Sequence, residues 1–373
     1  MKTWWTCNAL VALALVAVGP ALPQANLAKN LQITFVDTEG GAATLIVTPS
    51  GESLLIDTGY PVADRDAKRI FAAAQQAGLR KIDHLLISHF HDDHTGGLAA
   101  LSRMIPIEHF YDHGDTLDDP DPQRLQADRK RLEGYRALVG SKRIIVKAGD
   151  MIPLQGVSAL IVTSDGKMLD QTVNGGGPNP LCADAPQMSQ AAGENAHMVG
   201  VLLGYNNFTY LNLIDLDWYQ EMQLVCPINK VGMVSVFQMS RHGSSDGANS
   251  PALLGAIQPQ VVVVPNGPHK GFGQTDTRIQ PLPVAGKPST PYERNGYLRL
   301  AKNPGIEGIW QGHLSLLDTD PSHNTARDMI ANFEDTPDCE GHAITASVAA
   351  DGKFTMTNTR NGFSKSYAVR SRK

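Results

Sequence analysis

The sequence contains few cysteines and no Cys-x-x-Cys pair. The 4 cysteines among its 373 residues are Cys7, Cys182, Cys226 and Cys339. A zinc site built from cysteine pairs is therefore not indicated. If Cys7 is removed with an export signal, the odd number that remains allows one disulfide at most and leaves one free thiol. The residues alone leave the pairing open.

An excess of positive charge is also missing, since the formal net charge is −5 at pH 7. Such a chain is not expected to hold long nucleic acids by charge, although turnover of a phosphate ester at a metal stays open. We therefore expect a small-molecule or phosphodiester substrate, with nucleic acid not favoured as a partner. The oligomeric state is left open.

Long hydrophobic runs are absent after the amino-terminal segment. The run 9–18 is apolar but too short to span a bilayer, Lys2 precedes it, and Gly19-Pro20 follows it. This pattern predicts a signal peptide over residues 1–25 and a secreted or periplasmic protein without a membrane segment after cleavage. An uncleaved anchor is the alternative.

What the chain does have is a dense histidine-rich run, in which three histidines and two aspartates fall between His89 and His94. Neutral imidazoles and carboxylates are ligands that zinc accepts, and Mn²⁺ is a second candidate. His89 and His91 are two residues apart and can point to the same side, whereas Asp93 and His94 must diverge. The run therefore predicts one metal ion or two neighbouring ones.

Periodicity places this run at the end of a buried strand. Alternating and apolar segments predict strands at 31–36, 44–48, 53–56 and 82–88 and a helix at 63–77. Residues 27–373 are predicted to form a layered α/β domain, with long loops at 166–194 and 266–294 and a carboxyl-terminal hairpin at 342–359. Further segments complete this prediction: helices at 97–103, 123–139 and 252–257, and strands at 107–111, 143–146, 151–154, 158–162, 197–203, 208–213, 233–237 and 261–264.

The run His-x-His-x-Asp-His followed by Thr-Gly-Gly closely resembles the metallo-β-lactamase superfamily. The upstream run 54–59, Leu-Leu-Ile-Asp-Thr-Gly, is similar to that superfamily's first motif. Together with Arg241-His-Gly-Ser-Ser245, it makes the chain look most like the hydrolase domain of competence-type DNA-uptake proteins and their secreted relatives. The resemblance implies a four-layer αβ/βα sandwich with one or two zinc ions at the sheet edge.

The resemblance also implies a role for individual residues. His89 and His91 would bind the first metal, Asp93 and His94 the second, and Asp93 would orient and deprotonate the attacking water. Two further ligands and one supporting residue are implied: Asp215 as the bridging ligand, His242 as the late histidine, and Asp57 as a hydrogen-bonding support of the histidine loop.

The chain departs from the family pattern at three points. Ile214 stands where a glycine usually precedes the bridging aspartate, and Asp217 is a rival ligand. Arg241 replaces the first of two histidines and could instead bind an anionic group of the substrate. The third ligand of the first metal is open, with three candidates: His113, His197 and Asn195.

The predicted function is an exported zinc-dependent hydrolase in which a metal-bound hydroxide attacks an ester-like bond, with a phosphodiester as the leading substrate. Lactone, lactam or thioester hydrolysis is the alternative, because this fold hosts many reactions. A metal-poor binding protein of the same fold, with weak catalysis at best, is the rival from another class.

Overall fold

A computed structural model describes residues 1, 30–190, 192–275, 279–282, 291–336 and 339–371. The predicted signal peptide lies outside this part of the chain, apart from its first residue. None of the helices in the described ranges is both long and apolar enough to cross a membrane.

The chain alternates strands and helices. The strands of the described part are β1 Leu31–Phe35, β2 Thr44–Val47, β3 Ser53–Ile56, β4 Ile82–Leu86, β5 Ile107–Asp112, β6 Arg143–Ile145, β7 Met151–Leu154, β8 Val157–Ser164, β9 Lys167–Met168, β10 Gly177–Pro178, β11 Gly200–Tyr205, β12 Phe208–Asn212, β13 Ile228–Asn229, β14 Val236–Gln238, β15 Val261–Val264, β16 Gly308–His313, β17 Ile330–Asn332, β18 Ile344–Val348, β19 Phe354–Asn358 and β20 Ser364–Tyr367. The α-helices of the same part are α1 Arg65–Gln76, α2 Asp92–Thr95, α3 Leu98–Met104, α4 Pro122–Val139, α5 Glu194–His197, α6 Trp218–Val225, α7 Pro251–Ile257 and α8 Gly296–Ala301.

Two nine-stranded sheets contain all of these strands except β10 and β13, which pair with each other. The first has the order β20-β19-β18-β1-β2-β3-β4-β5-β6, and the main path of the second is β17-β16-β15-β14-β12-β11-β8-β7. In the first sheet, β3, β4, β5 and β6 are parallel, whereas β1 pairs with both β2 and β18 in antiparallel fashion. The carboxyl-terminal strands therefore complete a sheet that the amino-terminal half begins.

The core lies between the two sheets. Alternate residues of β1, such as Ile33, join a buried cluster with residues of the second sheet, such as Leu211 and Val262. On its other face the first sheet packs Leu85 against Ile70 of α1 in a separate buried cluster, to which α3 and α4 also contribute. This layering matches the α/β sandwich predicted from the sequence.

Several elements of the described part differ from the sequence prediction or were missed by it, three of which are large or close to the site. The segment predicted as a strand at 197–203 opens with the helical turn α5, and its strand, β11, begins only at Gly200. Helix α6 and strand β16 were not predicted. Both are almost wholly buried, so their polar residues face protein partners and the alternation that marks a half-exposed element is lost.

Candidate metal centre

Strand β4 ends at Leu86 and delivers the histidine loop, which closes in the short helix α2. The preceding β-strand, β3, runs into Thr58, whose amide and hydroxyl both bond the carbonyl of His94, at 2.7 and 2.9 Å. A side chain at Gly97 would meet the carbonyl oxygen of Thr58 at 2.1 Å, so the loop can lie this close only with glycine there. The Asp-Thr-Gly motif at 57–59 and the histidine loop are thus held in direct contact.

Four predicted ligands come together at this edge of the sheets. One ligand atom from each of Asp93, His94, Asp215 and His242 lies within 4.8 Å of the other three, and all four residues are buried. Nε2 of His242 lies 3.1 Å from Oδ2 of Asp93 and 3.4 Å from Oδ1 of Asp215. Nε2 of His94 lies 3.3 Å from the same Asp93 oxygen.

This donor set fits a divalent metal ion. Nε2 of His94, Nε2 of His242 and Oδ1 of Asp215 are buried and make no hydrogen bond of acceptable geometry with any described residue. Buried polar atoms normally have such partners, so three converging atoms without one are best explained as ligands. Two imidazoles and two carboxylates are a set that zinc accepts.

Asp57 supports the loop from behind. Its Oδ2 accepts hydrogen bonds from Nδ1 of His94 and from the hydroxyl of Ser88, both at 2.8 Å, and its Oδ1 accepts from the amide of Ser88 at 2.8 Å. Nε2 of His94 is therefore the nitrogen that faces the cluster. This geometry is the supporting contact that the resemblance implied for Asp57.

The charges of the cluster are mutually stabilised. Burial would raise the pKa of Asp93, but His94 and His242 outweigh it and hold that pKa well below its usual range. Asp215 behaves in the same way, with its pKa held low by the same two histidines against the effect of burial. Burial would lower the pKa of His94, yet Asp93, Asp57 and Asp215 raise it well above the ordinary value.

His89 and His91 lie beside this group but outside the set of four. Nε2 of His89 is 2.9 Å from Nδ1 of His91. Burial and the neighbouring His94 lower the pKa of both side chains, so both are neutral imidazoles with electron pairs available for a metal. Among the described residues, no third histidine, cysteine or carboxylate places a ligand atom within 4.8 Å of a ligand atom of both.

The candidates for that third ligand have other partners or no clear one. His113 faces Oε2 of Glu194 at 3.3 Å, and His197 lies between Asp165, at 2.9 Å, and Asp118, at 3.1 Å. Asn195 lines the cavity beside His91. Both histidines thus contact carboxylates of the protein.

The departures around Asp215 also have a structural explanation. Ile214 adopts a left-handed backbone conformation (φ 49°), which is the conformation that favours the glycine of the family pattern. Asp217 lies outside the cluster and pairs with Arg241, so Asp215 is the residue that meets the histidines. The guanidinium of Arg241, predicted to bind substrate, is engaged by that carboxylate.

Two residues at the centre were not predicted to act there. Lys270 places its ammonium against Asp93 and 2.9 Å from the hydroxyl of Tyr60. Glu194 accepts a 2.6 Å hydrogen bond from the amide of Phe90, between the two histidines of the loop. The feature of the sequence that could have indicated Lys270 is its position in a Gly-rich loop. Nothing in the sequence around Glu194 indicated that its carboxylate would bond the amide of Phe90.

A serine mechanism finds no support at the run Gly243-Ser-Ser-Asp-Gly247, which has the spacing of a nucleophile turn. Ser245 is buried, and its hydroxyl has no hydrogen-bond partner in the described ranges. A serine nucleophile needs an adjacent base to take its proton. The chemistry of this edge is therefore that of the metal cluster.

Known proteins resemble part of this chain, and one of them is named as a metal-dependent hydrolase. Residues 36–164 match the family model described as the metallo-beta-lactamase superfamily. A UPF0173 metal-dependent hydrolase of Cupriavidus taiwanensis is 36% identical over 87 residues, which cover 23% of this chain and 27% of that protein. An atrochrysone carboxyl ACP thioesterase of Cryptosporiopsis sp. is 36% identical over 75 residues, covering 20% of this chain and 23% of that protein.

Among solved structures, the metallo-beta-lactamase fold protein YhfI from Bacillus subtilis aligns with 65% of this chain and 88% of its own, at 12% identity and a TM-score of 0.41. The chain spans about a quarter of the length of the curated relatives named above. The family match covers the histidine loop and its Asp57 support, and the two-sheet architecture is the one that the family implies. The match to the metallo-β-lactamase superfamily therefore covers residues 36–164 of this chain.

Proposed function

We propose that this protein is an exported, zinc-dependent hydrolase that cleaves an ester-like bond. The observation that carries the proposal is the convergence of Asp93, His94, Asp215 and His242 within 4.8 Å. Three of the converging atoms, Nε2 of His94, Nε2 of His242 and Oδ1 of Asp215, make no hydrogen bond with a described residue. A divalent ion held there supplies an acidified water and polarises the bond to be cleaved.

The residues of the chain have distinct tasks in this proposal. His94, His242 and Asp215 hold the ion, with His89 and His91 as ligands for a second one. Asp93 is a ligand and, because it lies within the cluster, also orients the attacking water and takes its proton. Asp57 fixes which nitrogen of His94 faces the ion.

A phosphodiester remains the leading substrate, as the resemblance to the competence-type hydrolase domain suggests. Thioester cleavage is the second candidate, supported by the similarity to a thioesterase over 75 residues. A panel of a chromogenic phosphodiester, a lactone, a thioester and a cephalosporin-type lactam, each with added zinc or manganese, separates these classes.

The decisive variants are His91→Ala and Asp93→Ala. Asp93→Ala is expected to lose the zinc ion of the cluster and turnover together, and His91→Ala is expected to lose a second zinc ion with a fall in turnover, measured by elemental analysis and by rates on the panel. Unchanged turnover in a metal-free variant would contradict the proposal. Near-zero metal in wild-type protein purified without chelator would favour the binding-protein alternative.

Export is part of the proposal, and two features support it. The amino-terminal sequence has the pattern of a signal peptide, and Cys182 and Cys226 form a disulfide, a bond that persists in oxidising compartments. Mass spectrometry of protein recovered from the periplasm or medium tests it. A chain that retains residues 1–25 there would contradict cleavage.

A further inference from the structure

Helix α4 touches the histidine loop at two points, although it supplies none of the four residues of the cluster. Its Tyr135 packs against the ring of Phe90, with ring centroids 5.3 Å apart. One turn earlier, the guanidinium of Arg131 bonds both oxygens of Asp92, from Nε at 2.5 Å and from Nη2 at 2.8 Å. Positions 131 and 135 are four apart, so both contacts come from one face of the helix.

The two loop residues that α4 contacts are the immediate neighbours of His91. Phe90 precedes it and is fully buried, and Asp92 follows it as the first residue of α2. His91 itself caps this short helix, and its carbonyl accepts from the amides of His94 and Thr95 at 3.1 and 3.0 Å. Helix α4 therefore holds the chain on both sides of this one imidazole.

Arg131 is kept in its orientation by its own helix. Its Nη1 donates to Oδ1 of Asp128 at 2.9 Å, and Asp128 is only 2% exposed. A guanidinium is planar, so fixing one of its nitrogens also sets the direction of the others. The two N–H groups that reach Asp92 therefore meet it in a preset, bidentate geometry.

Two consecutive aspartates explain why such a contact is needed. Asp92 and Asp93 both carry a carboxylate next to His91, yet only Asp93 belongs to the four-residue cluster. The side chain of Asp92 is 56% exposed, and an ion pair with so exposed a partner contributes little to folding. The consequence of this pair is therefore local: it holds Asp92 away from the centre and leaves Asp93 as the carboxylate that faces the ion.

We infer that Arg131 is a positioning residue of the metal centre, which fixes the direction of His91 by holding Asp92. The imidazole of His91 is thereby kept beside that of His89, 2.9 Å away, as a ligand pair for a second ion. The inference rests on the proposed function, which assigns the second ion to these two histidines. Arg131 acts only through the loop.

The test is a cobalt(II) titration of the full chain, freed of metal by a chelator and followed by the visible absorption of bound cobalt. The wild type is expected to take up two equivalents. Arg131→Met is expected to bind the second about tenfold more weakly or worse, with an altered spectrum, because lost support of a ligand typically costs about 10- to 100-fold in metal affinity. The first equivalent is expected to be unchanged.

Two further variants make the test specific. Arg131→Lys keeps the charge but cannot bond both oxygens of Asp92 in a planar fork, so it is expected to recover only part of the affinity. Arg129→Met, on the exposed side of the same helix, is the control and is expected to match the wild type. If Arg131→Met fails to fold, Asp92→Asn, which removes the charge that the guanidinium holds, takes its place with the same expectation.

Three outcomes count against the inference. Uptake of a single equivalent by the wild type would overturn it, because His91 would then hold no ion. A second step that is equal in Arg131→Met and wild type would overturn the positioning role alone and leave the proposed function standing. A wild-type chain that takes up no cobalt at all would contradict the proposed function itself.

Discussion

Asp57 serves two neighbours at once, because one of its oxygens accepts from both His94 and Ser88 while the other holds the Ser88 amide. It is fully buried, and burial raises its pKa even though His94 acts in the opposite direction. The charge of this one side chain therefore depends on the histidine that it orients. A substitution of His94 would therefore alter the charge of Asp57, and a substitution of Asp57 would alter the orientation of His94.

Asp57→Asn is expected to weaken zinc binding by about 10- to 100-fold, because an amide cannot accept at both positions and leaves His94 poorly oriented. Competition with a zinc-binding dye measures the effect. Asp83→Asn is the matched control, since Asp83 bonds Ser53 at the far end of β4. Equal affinity in wild type and Asp57→Asn would show that Asp57 does not act through the metal.

Lys270→Met is expected to lower turnover by about tenfold or more while zinc content stays constant, because a fixed cation beside Asp93 stabilises negative charge that develops in the reaction. His269→Ala on the same loop is the control, since His269 is largely exposed and faces Asp335. Rates on the best panel substrate and elemental analysis are the two measurements. Loss of zinc in Lys270→Met would instead assign the lysine to holding the site together.

At this scale the sequence predicts what is local. Asp93, His94, Asp215 and His242 could be selected because each stands in a short motif or directly after an apolar strand. Glu194 could not, because its partner Phe90 is 104 positions away and neither neighbourhood has a characteristic pattern. A contact that depends on the mutual packing of distant loops leaves no trace in local sequence.

At the scale of elements, the turn α5 and the short segment that follows it are attached to the histidine loop at two points. Oε2 of Glu194 accepts from the Phe90 amide at 2.6 Å, and the amide of Val199 donates to the carbonyl of Ser88 at 3.0 Å. The segment that the sequence analysis considered a loop therefore ends as a fixed support of the metal centre. Its position depends on buried hydrogen bonds, which hydrophobic periodicity cannot reveal.

Glu194→Ala is expected to lower the free energy of unfolding by about 1–3 kcal/mol, because the buried Phe90 amide loses its acceptor. Glu194→Gln keeps an acceptor oxygen and is expected to recover most of that loss. Urea unfolding of both variants gives the comparison. If the glutamine variant is as unstable as the alanine variant, the charge rather than the hydrogen bond is what matters.

Helices α6 and α7 are joined through a second buried carboxylate. Glu221 accepts from the amides of Asn249 and Ser250, both at 2.7 Å, and burial raises its pKa to about 7. In the unfolded chain this carboxyl ionises near pH 4.5, its ordinary value. Between these two pH values the folded state holds the proton that the unfolded state has lost.

The contribution of Glu221 to stability is therefore greatest below pH 4.5 and declines as the pH rises through 7. Unfolding in urea at pH values from 5 to 8 is expected to show this decline, superimposed on the response of the other groups. Glu221→Gln removes the ionisation, so its pH profile should be flatter across this window. A variant profile parallel to the wild type would rule out Glu221 as the source.

At the scale of the whole molecule, one disulfide connects Cys182 and Cys226 while Cys339 is buried and free. The odd number of cysteines after the predicted signal peptide allowed one disulfide and one free thiol, but it did not indicate which two cysteines would pair. The pairing depends on a tertiary approach of the loop after β10 to the end of α6. The layered α/β architecture could be predicted because predicted strands and helices alternate along the chain and the histidine motif follows the carboxyl end of one strand.

The disulfide closes a loop whose ends are 44 residues apart, for which chain-entropy arguments give about 4 kcal/mol of stabilisation. The double variant Cys182→Ser with Cys226→Ser is expected to unfold at lower urea concentration and to lose sensitivity to reductant. Cys339→Ser is the control and should keep that sensitivity. Equal midpoints for wild type and the double variant would show that the bond does not stabilise the fold.

The order of strands in the first sheet also bears on when the protein can become active during its synthesis. Strand β1 is synthesised before the other strands of the described part, but it pairs with β18, which is among the last strands to be synthesised. The cluster likewise waits for His242, long after His94 has left the ribosome. Long-range pairing of this kind is slow to form. We therefore expect a shortened chain that lacks β18 to β20 to leave one edge of β1 uncovered and the first sheet incomplete.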